Sequence, residues 1–187
     1  MDCHTRTDGF FDITVHSENY TPSTISGIQL SSEAHTLFFQ HSGININLSG
    51  FLKGYALESI RELLQLYGIE DALVNMGNSS ILALGHHPLA TGWRIGFEQG
   101  VVSNKGEKQE VLLKNECLTV SGNDSLERKH IIAPYSGKLI EGKWMVAVVT
   151  ESGAVGEILS TALFAADTYQ QKLLEMEFHP RLILKLC

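Results

Sequence analysis

The spacing of apolar residues changes once clearly along this chain, after Gly54. Beyond that glycine, apolar residues recur every three or four positions, which is the spacing of one helix face: Tyr55, Ala56, Ile60, Leu63, Leu64 and Tyr67. Gly68 follows at the position where such a helix usually stops. The segment before Gly54 contains the strand-like run GININL (43–48). The sequence therefore predicts a strand, a glycine-containing turn, and a helix that begins after Gly54 and ends at Gly68.

Short apolar runs typical of β-strands occupy most of the remaining chain. They are GFFDITV (9–15, a strand or the entrance to one), GIQL (27–30), HTLFFQ (35–40), DALVNMG (71–77), SSILALG (79–85), GWRIGFEQG (92–100), EVLLKN (110–115), CLTVSGN (117–123), KHIIAP (129–134), KWMVAVVT (143–150) and RLILKLC (181–187). Residues 101–110 carry enough charge and glycine to predict an exposed hairpin tip or loop.

Two further helices are predicted, from about Ala154 through Ala165 and from about Thr168 to Phe178. Because strands outnumber helices without regular alternation, we expect an α+β fold, mainly an antiparallel β-sheet with a few packed helices. We find no repeat, low-complexity tract or linker, so residues 1–187 are expected to form a single domain.

Charge and composition exclude several classes of function. The 21 acidic residues exceed the 14 basic ones, and the basic residues are scattered, so we expect no nucleic-acid partner. The sequence contains no uninterrupted run of about 18 apolar residues, so it predicts no membrane-spanning helix. Because its N-terminus is polar, it predicts no secretory signal either. The product as encoded is therefore expected in the cytoplasm. An anionic ligand would need local help from a metal ion or from backbone amides.

Three cysteines, Cys3, Cys117 and Cys187, lack the CxxC spacing of a zinc site or a redox motif. We interpret them as free thiols, with a disulfide between two of them as the alternative.

The turn around Gly50 and Gly54 is the first candidate site. Glycines at the start of a helix allow a ligand to approach the backbone where amides have no partner, which suits a phosphate. Ordinary turn chemistry explains the same glycines. Lys53 adds a cation there, although a solvated surface lysine is the alternative.

His130 is the second candidate, because it follows a charged loop and enters an apolar run. A histidine in such a place can act as a base near neutral pH. The alternative is a histidine that is merely hydrogen-bonded at a strand edge.

Glu157 and Thr161 form the third candidate. Four residues apart on a helix, their side chains lie on one face about one turn from each other. Two oxygen donors at this spacing suit Mg²⁺. A pair of polar residues at the start of a helix is the alternative interpretation.

Six segments in order resemble motifs of the ApbE family of FAD:protein FMN transferases. They are TDGFFDITV (7–15), NLSGFLKGYALE (47–58), ALVNMGNSS (72–80), GWRIGFEQG (92–100), SGNDSLERKHIIAPYSG (121–137) and GEILSTALFAAD (156–167). Together they span nearly the whole chain. The resemblance implies the ApbE-like fold, with the usual N-terminal segment of the family expected to be absent here.

The resemblance also implies a function and a set of site residues. Members of this family use Mg²⁺ to transfer FMN from FAD to a Thr or Ser hydroxyl of an acceptor protein. By position, the resemblance implies that the catalytic base is His130. It implies that the FAD-binding residues are Phe10, Phe11, Asp12, Asn47 and Lys53. The implied metal ligands are Gly50, Glu157 and Thr161.

This sequence departs from the family pattern at three chemically important positions. Asn47, Ala133 and Glu157 each stand where the family has an aspartate. An alternative function therefore stays open, in which the chain is a catalytically inactive homologue that binds a flavin or nucleotide or serves as an interaction module.

Overall fold

The fold is built on an antiparallel sheet that several helices cover. The structure, a computed structural model, describes residues 2–97, 110–123, 130–142 and 144–186. Helices α1 to α4 span Asp2–Arg6, Ser49–Leu66, Gly153–Ala165 and Thr168–Phe178, and a 3-10 turn spans Thr24–Gly27. Strands β1 to β11 span Ile28–Ser31, Thr36–Phe39, Ala72–Met76, Ser80–Leu84, Trp93–Gly96, Glu110–Leu113, Glu116–Gly122, Ile132–Ala133, Lys138–Leu139, Met145–Thr150 and Leu182–Leu186.

Five strands form the central sheet in the order β11-β10-β7-β4-β3, and every neighbouring pair is antiparallel. Its alternating residues face two different layers. On one face, Val146 and Val148 pack with Leu159 of α3, while Leu57 of α2 packs on Leu82. On the other face, a cluster is shared with the β5-β6 hairpin: Ile81, Ala83, Ala147 and Val149 with Val111 and Leu113. The expected α+β class is confirmed.

Helices α2 and α3 contact each other through glycine. A Cβ added at Gly54 would lie 2.2 Å from the carbonyl oxygen of Gly153, so no larger residue fits without separating the helices. Similarly, a Cβ at Gly156 would lie 2.7 Å from the hydroxyls of Thr119 and Thr150 on the sheet. This close packing fixes the position of α2 relative to α3, and the candidate residues lie on these two helices.

The predicted helix after Gly54 begins earlier than the sequence suggests. Helix α2 starts at Ser49, and its C-terminal cap is Tyr67, followed by Gly68 at φ +70°. The predicted stop is therefore confirmed, but both Gly50 and Gly54 lie inside the helix rather than in a turn before it. The preceding run 43–48 forms no strand. Contacts with α3 outweigh the low intrinsic helix propensity of the two glycines.

Residues 9–15 form turns, so the strand predicted there is wrong. Asp8 and Gly9 have φ of +48° and +75°. The carboxylate of Asp12 then accepts hydrogen bonds from the backbone N–H and the hydroxyl of Thr14, at 2.7 and 2.6 Å. A short polar side chain that bonds its neighbouring backbone in this way favours a turn over a ladder. The short helix α1 before this segment was not predicted.

The other predicted elements agree closely with the structure. The last helix spans Thr168–Phe178 as expected, and Asp167 caps it by accepting from the backbone N–H groups of Tyr169 and Gln170. The run 129–134 is reduced to the two residues of β8. The hairpin tip predicted at 101–110 lies outside the described residues apart from Glu110. Of the cysteines, Cys3 and Cys117 are free thiols, as interpreted.

Candidate active site

A cavity of about 990 Å³ opens where α2, α3, the β3-β4 turn and the end of β7 meet. All nine residues implied by the sequence line it: Phe10, Phe11, Asp12, Asn47, Gly50, Lys53, His130, Glu157 and Thr161. These residues come from four separate parts of the chain. The fold therefore brings together, around one cavity, residues that are far apart in the sequence. The individual roles of these nine residues stay predictions.

Glu157 is a buried acid of the cavity, with 3% of its surface exposed. Ser80 on β4 donates a hydrogen bond to Glu157 Oε1. Burial raises the pKa of the Glu157 carboxyl, and this effect is opposed by the Ser80 hydrogen bond and by Lys53. The fold thus places one carboxyl in a poorly solvated position, where it interacts strongly with any nearby cation.

The ammonium of Lys53 lies between α3 and the β3-β4 turn. Its Nζ is 3.7 Å from Glu157 Oε1 and donates to the hydroxyl of Ser79. Both Ser80 and Lys53 contact Oε1 of Glu157. The other carboxylate oxygen, Oε2, has no hydrogen-bond partner among the described residues. The Lys53 side chain is 38% exposed, so it is paired at the cavity wall and also accessible to solvent.

Three hydroxyls cluster one helical turn beyond Glu157. Ser121 Oγ lies 2.7 Å from Ser160 Oγ and 3.0 Å from Thr161 Oγ1. Thr161 also lies beside the first turn of α2, since a Cβ at Gly50 would be 3.7 Å from Thr161 Oγ1. Gly50 and Thr161 are therefore neighbours, as a shared ligand would require.

The donor set can be tested against Mg²⁺ by its chemistry. A carboxylate oxygen without a partner, a threonine hydroxyl and the backbone of a neighbouring glycine offer the oxygen donors that Mg²⁺ takes. Within the described residues, no group of three or more His, Cys, Asp or Glu side chains converges to hold an ion. The residues fit a hard cation that completes its shell with ligand or water oxygens.

Asn47 and Asp12 support the wall of the cavity in different ways. Asn47 Oδ1 accepts from the backbone N–H of Ser49 at 2.9 Å, which leaves its NH₂ group without a described partner. The Asp12 carboxylate is buried, and it accepts from Tyr20 Oη at 3.0 Å in addition to Thr14. Asp12 thus holds the turn in place, whereas Asn47 retains donors for a ligand.

Aromatic rings and His130 form the remaining wall. The rings of Phe10 and Tyr135 lie 5.0 Å apart, and the Tyr135 hydroxyl donates to the carbonyl of Asp8 at 2.6 Å. Phe11 lies against Gly50, with its Cε2 at 3.3 Å from a Cβ placed there. His130 is exposed, lies just before β8 and lines the cavity.

Several cavity residues were not singled out from the sequence, among them Asn75, Asn78, Ser79, Ser121 and Trp144. The run NMGNSS offered a signal, since its glycine and asparagines predict a turn directly after a strand. In the structure, Asn78 has φ +62° and its N–H donates to Asn75 Oδ1 at 2.9 Å. Ser121 begins the segment 121–137, but its contacts with Ser160 and Thr161 depend on how β7 packs against α3, which the sequence does not show.

Fold and cavity together define an α+β protein with a large cavity, lined by both polar and apolar side chains, beside an antiparallel sheet. A sequence model of the ApbE family matches residues 17–181, and the chain belongs to that family. No helix of the described residues is long and apolar enough to cross a membrane.

Curated relatives carry the description FAD:protein FMN transferase. The protein from Rhodobacter capsulatus is 27% identical over 177 residues, covering 89% of this chain and 31% of that protein. The Vibrio cholerae protein is 27% identical over 148 residues, covering 74% of this chain and 44% of that protein. The chain thus spans less than half the length of these two curated relatives.

Solved structures share the fold at low identity. The flavin transferase ApbE from Vibrio cholerae has a TM-score of 0.76 and 21% identity, with 94% of this chain and 65% of that chain covered. The ApbE protein from Thermotoga maritima has a TM-score of 0.75 and 22% identity, with 94% and 66% covered. This likeness confirms the ApbE-like fold.

Proposed function

We propose that this chain is a Mg²⁺-dependent FAD:protein FMN transferase, which transfers FMN from FAD to a Thr or Ser hydroxyl of an acceptor protein. The observation that carries the proposal is the convergence of all nine implied residues on one cavity. The cavity volume of about 990 Å³ lies at the upper end of the range for small-molecule sites, as a dinucleotide requires.

The polar wall suits the pyrophosphate of FAD. Lys53 and the NH₂ group of Asn47 are donors beside the first turn of α2, and they balance anionic phosphate oxygens in a chain of net charge −7. Phe10 and Phe11 supply apolar surface for the flavin ring. The ligand is thereby oriented with its phosphates towards the α2-α3 contact.

Glu157, Thr161 and Gly50 would hold the metal ion. Bound there, Mg²⁺ would neutralise negative charge on the pyrophosphate, which is its usual contribution to phosphoryl transfer. Ser80 and Ser121 position the first two of these side chains through the hydrogen bonds described above.

The chemical step forms one bond and breaks another. The acceptor hydroxyl oxygen attacks the phosphorus on the FMN side of the pyrophosphate, the bond to the bridging oxygen breaks, and AMP leaves with that oxygen. His130 takes the hydroxyl proton. Because phosphoryl transfer depends mainly on positioning and charge neutralisation, a single base and a fixed pyrophosphate are sufficient protein chemistry.

One observation favours the alternative of a flavin-binding homologue without transferase activity. Lys53 lies 3.7 Å from Glu157 Oε1, so an ammonium already neutralises the carboxylate that would hold the metal. In this alternative, FAD binds with the lysine alone opposite the phosphates.

The deciding experiment incubates the purified chain with FAD, Mg²⁺ and an acceptor domain that the Vibrio cholerae relative flavinylates in the same assay. Intact-mass spectrometry then measures covalent FMN on the acceptor, and fluorescence titration measures FAD binding. The proposal predicts transfer that EDTA abolishes. Binding of FAD without transfer would support the inactive homologue instead.

Matched variants separate roles within the site. His130→Ala should lower transfer by about 10²- to 10⁴-fold, the usual contribution of a general base, with FAD affinity unchanged. His41→Ala alters an exposed histidine that does not line the cavity and should leave transfer unchanged. Equal rates for His130→Ala and the wild type would contradict the base assignment.

A further inference from the structure

Strand β3 is an edge of the central sheet that the described residues form. In the order β11-β10-β7-β4-β3 it comes last, and among the described residues it pairs only with β4. An unpaired edge presents a row of backbone N–H and C=O groups that can accept a further strand. An extended polypeptide is therefore the class of partner that this edge fits.

The two edges of the sheet differ in their protection. At the other edge, β11 contains Lys185, whose ammonium donates to Gln171 at 2.5 Å, and Arg181 just before it is paired with Glu116. Charged residues on an edge strand oppose pairing with another chain. The β3 sequence, Ala72–Met76, contains no charged residue. Its backbone is thus the less protected edge.

This open edge is continuous with the candidate active site. Leu73 and Asn75 of β3 line the same cavity as Lys53 and Glu157, and Leu73 is 41% exposed. Neighbouring strands lie about 4.8 Å apart and every second side chain points to the same face. A strand added beside β3 would place alternate side chains at the mouth of the cavity.

The turn that ends β3 is held rigidly. Asn75 Nδ2 donates to Asn78 Oδ1 at 3.0 Å, and the N–H of Asn78 donates back to Asn75 Oδ1 at 2.9 Å. Lys53 bonds to Ser79 directly after this turn. The end of β3 is therefore fixed in position relative to the lysine that faces Glu157.

We propose that β3 is the docking strand for the acceptor protein: an extended segment of the acceptor pairs with Ala72–Met76 and presents its Thr or Ser hydroxyl to the cavity. This inference rests on the proposed function, because a transferase acting on proteins needs a polypeptide beside its FAD site. Backbone pairing gives affinity with little demand on side chains, while the cavity selects the small hydroxyl residue.

The test compares two leucine-to-lysine variants on exposed strand positions. Leu73→Lys places a charge on the β3 edge, whereas Leu112→Lys places it on β6, where Leu112 is 47% exposed and lies outside the cavity lining. Leu73→Lys should raise KM for the acceptor domain about tenfold, because a charge on an edge strand opposes pairing with another chain. Since Leu73 also lines the cavity, the FAD dissociation constant of this variant is measured separately and the acceptor KM is compared at saturating FAD. Leu112→Lys should match the wild type in both.

Hydrogen exchange provides a readout independent of catalysis. The amides of residues 72–76 should gain protection when FAD and the acceptor domain are both present, but not with FAD alone. Protection confined to another surface, or unchanged acceptor KM in Leu73→Lys, would overturn the docking assignment. Concentration-dependent protection of residues 72–76 without acceptor, with a dimer by light scattering, would assign the edge to a second copy and also overturn it.

The docking strand and the transferase activity can fail separately. If the wild-type chain transfers no FMN but the acceptor still protects residues 72–76, the docking strand stands and the transferase proposal fails. If transfer occurs and residues 72–76 exchange at the same rate with and without acceptor, the transferase stands and the docking strand is wrong.

Discussion

Gly54→Ala tests whether the site depends on the close contact between α2 and α3. In an exposed helix this substitution stabilises by about 1 kcal/mol, because alanine has the higher helix propensity. Here the new Cβ would lie 2.2 Å from the carbonyl oxygen and 2.4 Å from the carbonyl carbon of Gly153. These are backbone atoms, which cannot move aside as a flexible side chain would.

The net effect follows from comparing the two terms. Overpacking a well-packed interior costs about 1–3 kcal/mol, and a clash with backbone belongs at or above the upper end. After subtracting the propensity gain, Gly54→Ala should lower the free energy of unfolding by about 2 kcal/mol or more. For a chain of this size that corresponds to a fall in Tm of roughly 4–8 °C.

Thermal denaturation followed by circular dichroism measures this effect, and Gly96→Ala is the matched control. Gly96 lies on β5 with nothing within 4 Å of an added Cβ, so its substitution should change stability by less than about 0.5 kcal/mol. The Gly54→Ala variant should also bind FAD more weakly, because α2 and α3 each carry part of the cavity wall. A Tm equal to or above that of the wild type would refute the reasoning.

Three further predictions concern buried polar groups. Burial raises the pKa of the Cys117 thiol to about 11, so near pH 10 the folded state keeps a proton that the unfolded state releases. The free energy of unfolding should therefore fall by roughly 2–3 kcal/mol as pH rises from 9 to 11. Urea titrations measure this fall, and Cys117→Ala should flatten it. Asn123→Asp replaces an amide that donates to two backbone carbonyls, at 2.9 and 3.0 Å, and should lower the free energy of unfolding by about 2–4 kcal/mol. The control Asn115→Asp, on an exposed turn, should lower it far less. Equal urea midpoints for the two variants would contradict this prediction. Ser80→Ala leaves the buried carboxylate of Glu157 without its hydroxyl donor and should cost about 1–3 kcal/mol by the same measurement; an unchanged midpoint would show that this hydrogen bond does not stabilise the fold.

Much of the fold follows from local patterns in the sequence. The helix Thr168–Phe178 has an Asp cap and a regular period, and the strands of the central sheet are short apolar runs. The start of α2 could not be predicted, because Gly54 lowers local helix propensity and is required by the close contact with α3, which the sequence does not show. The turns at 9–15 were missed because the side chain of Asp12 competes with strand pairing.

The candidate site was predictable only as an ordered set of motifs. Glu157 and Thr161 share a helix face, which spacing alone indicates. That Ser80 donates to Glu157 and Ser121 contacts Thr161 depends on how β4 and β7 pair across the sheet. Residues that act through such long-range contacts leave no periodic signal in the sequence.

The central claim is that the cavity between α2 and α3 holds FAD and a divalent cation together. A crystal grown with FAD and Mn²⁺ in place of Mg²⁺ tests it most directly, because anomalous scattering locates the metal independently of the flavin. We expect the pyrophosphate beside Lys53 and an anomalous peak within coordination distance of Glu157 and Thr161. Flavin density in this cavity without an anomalous peak at these residues, or flavin bound elsewhere, would contradict the account.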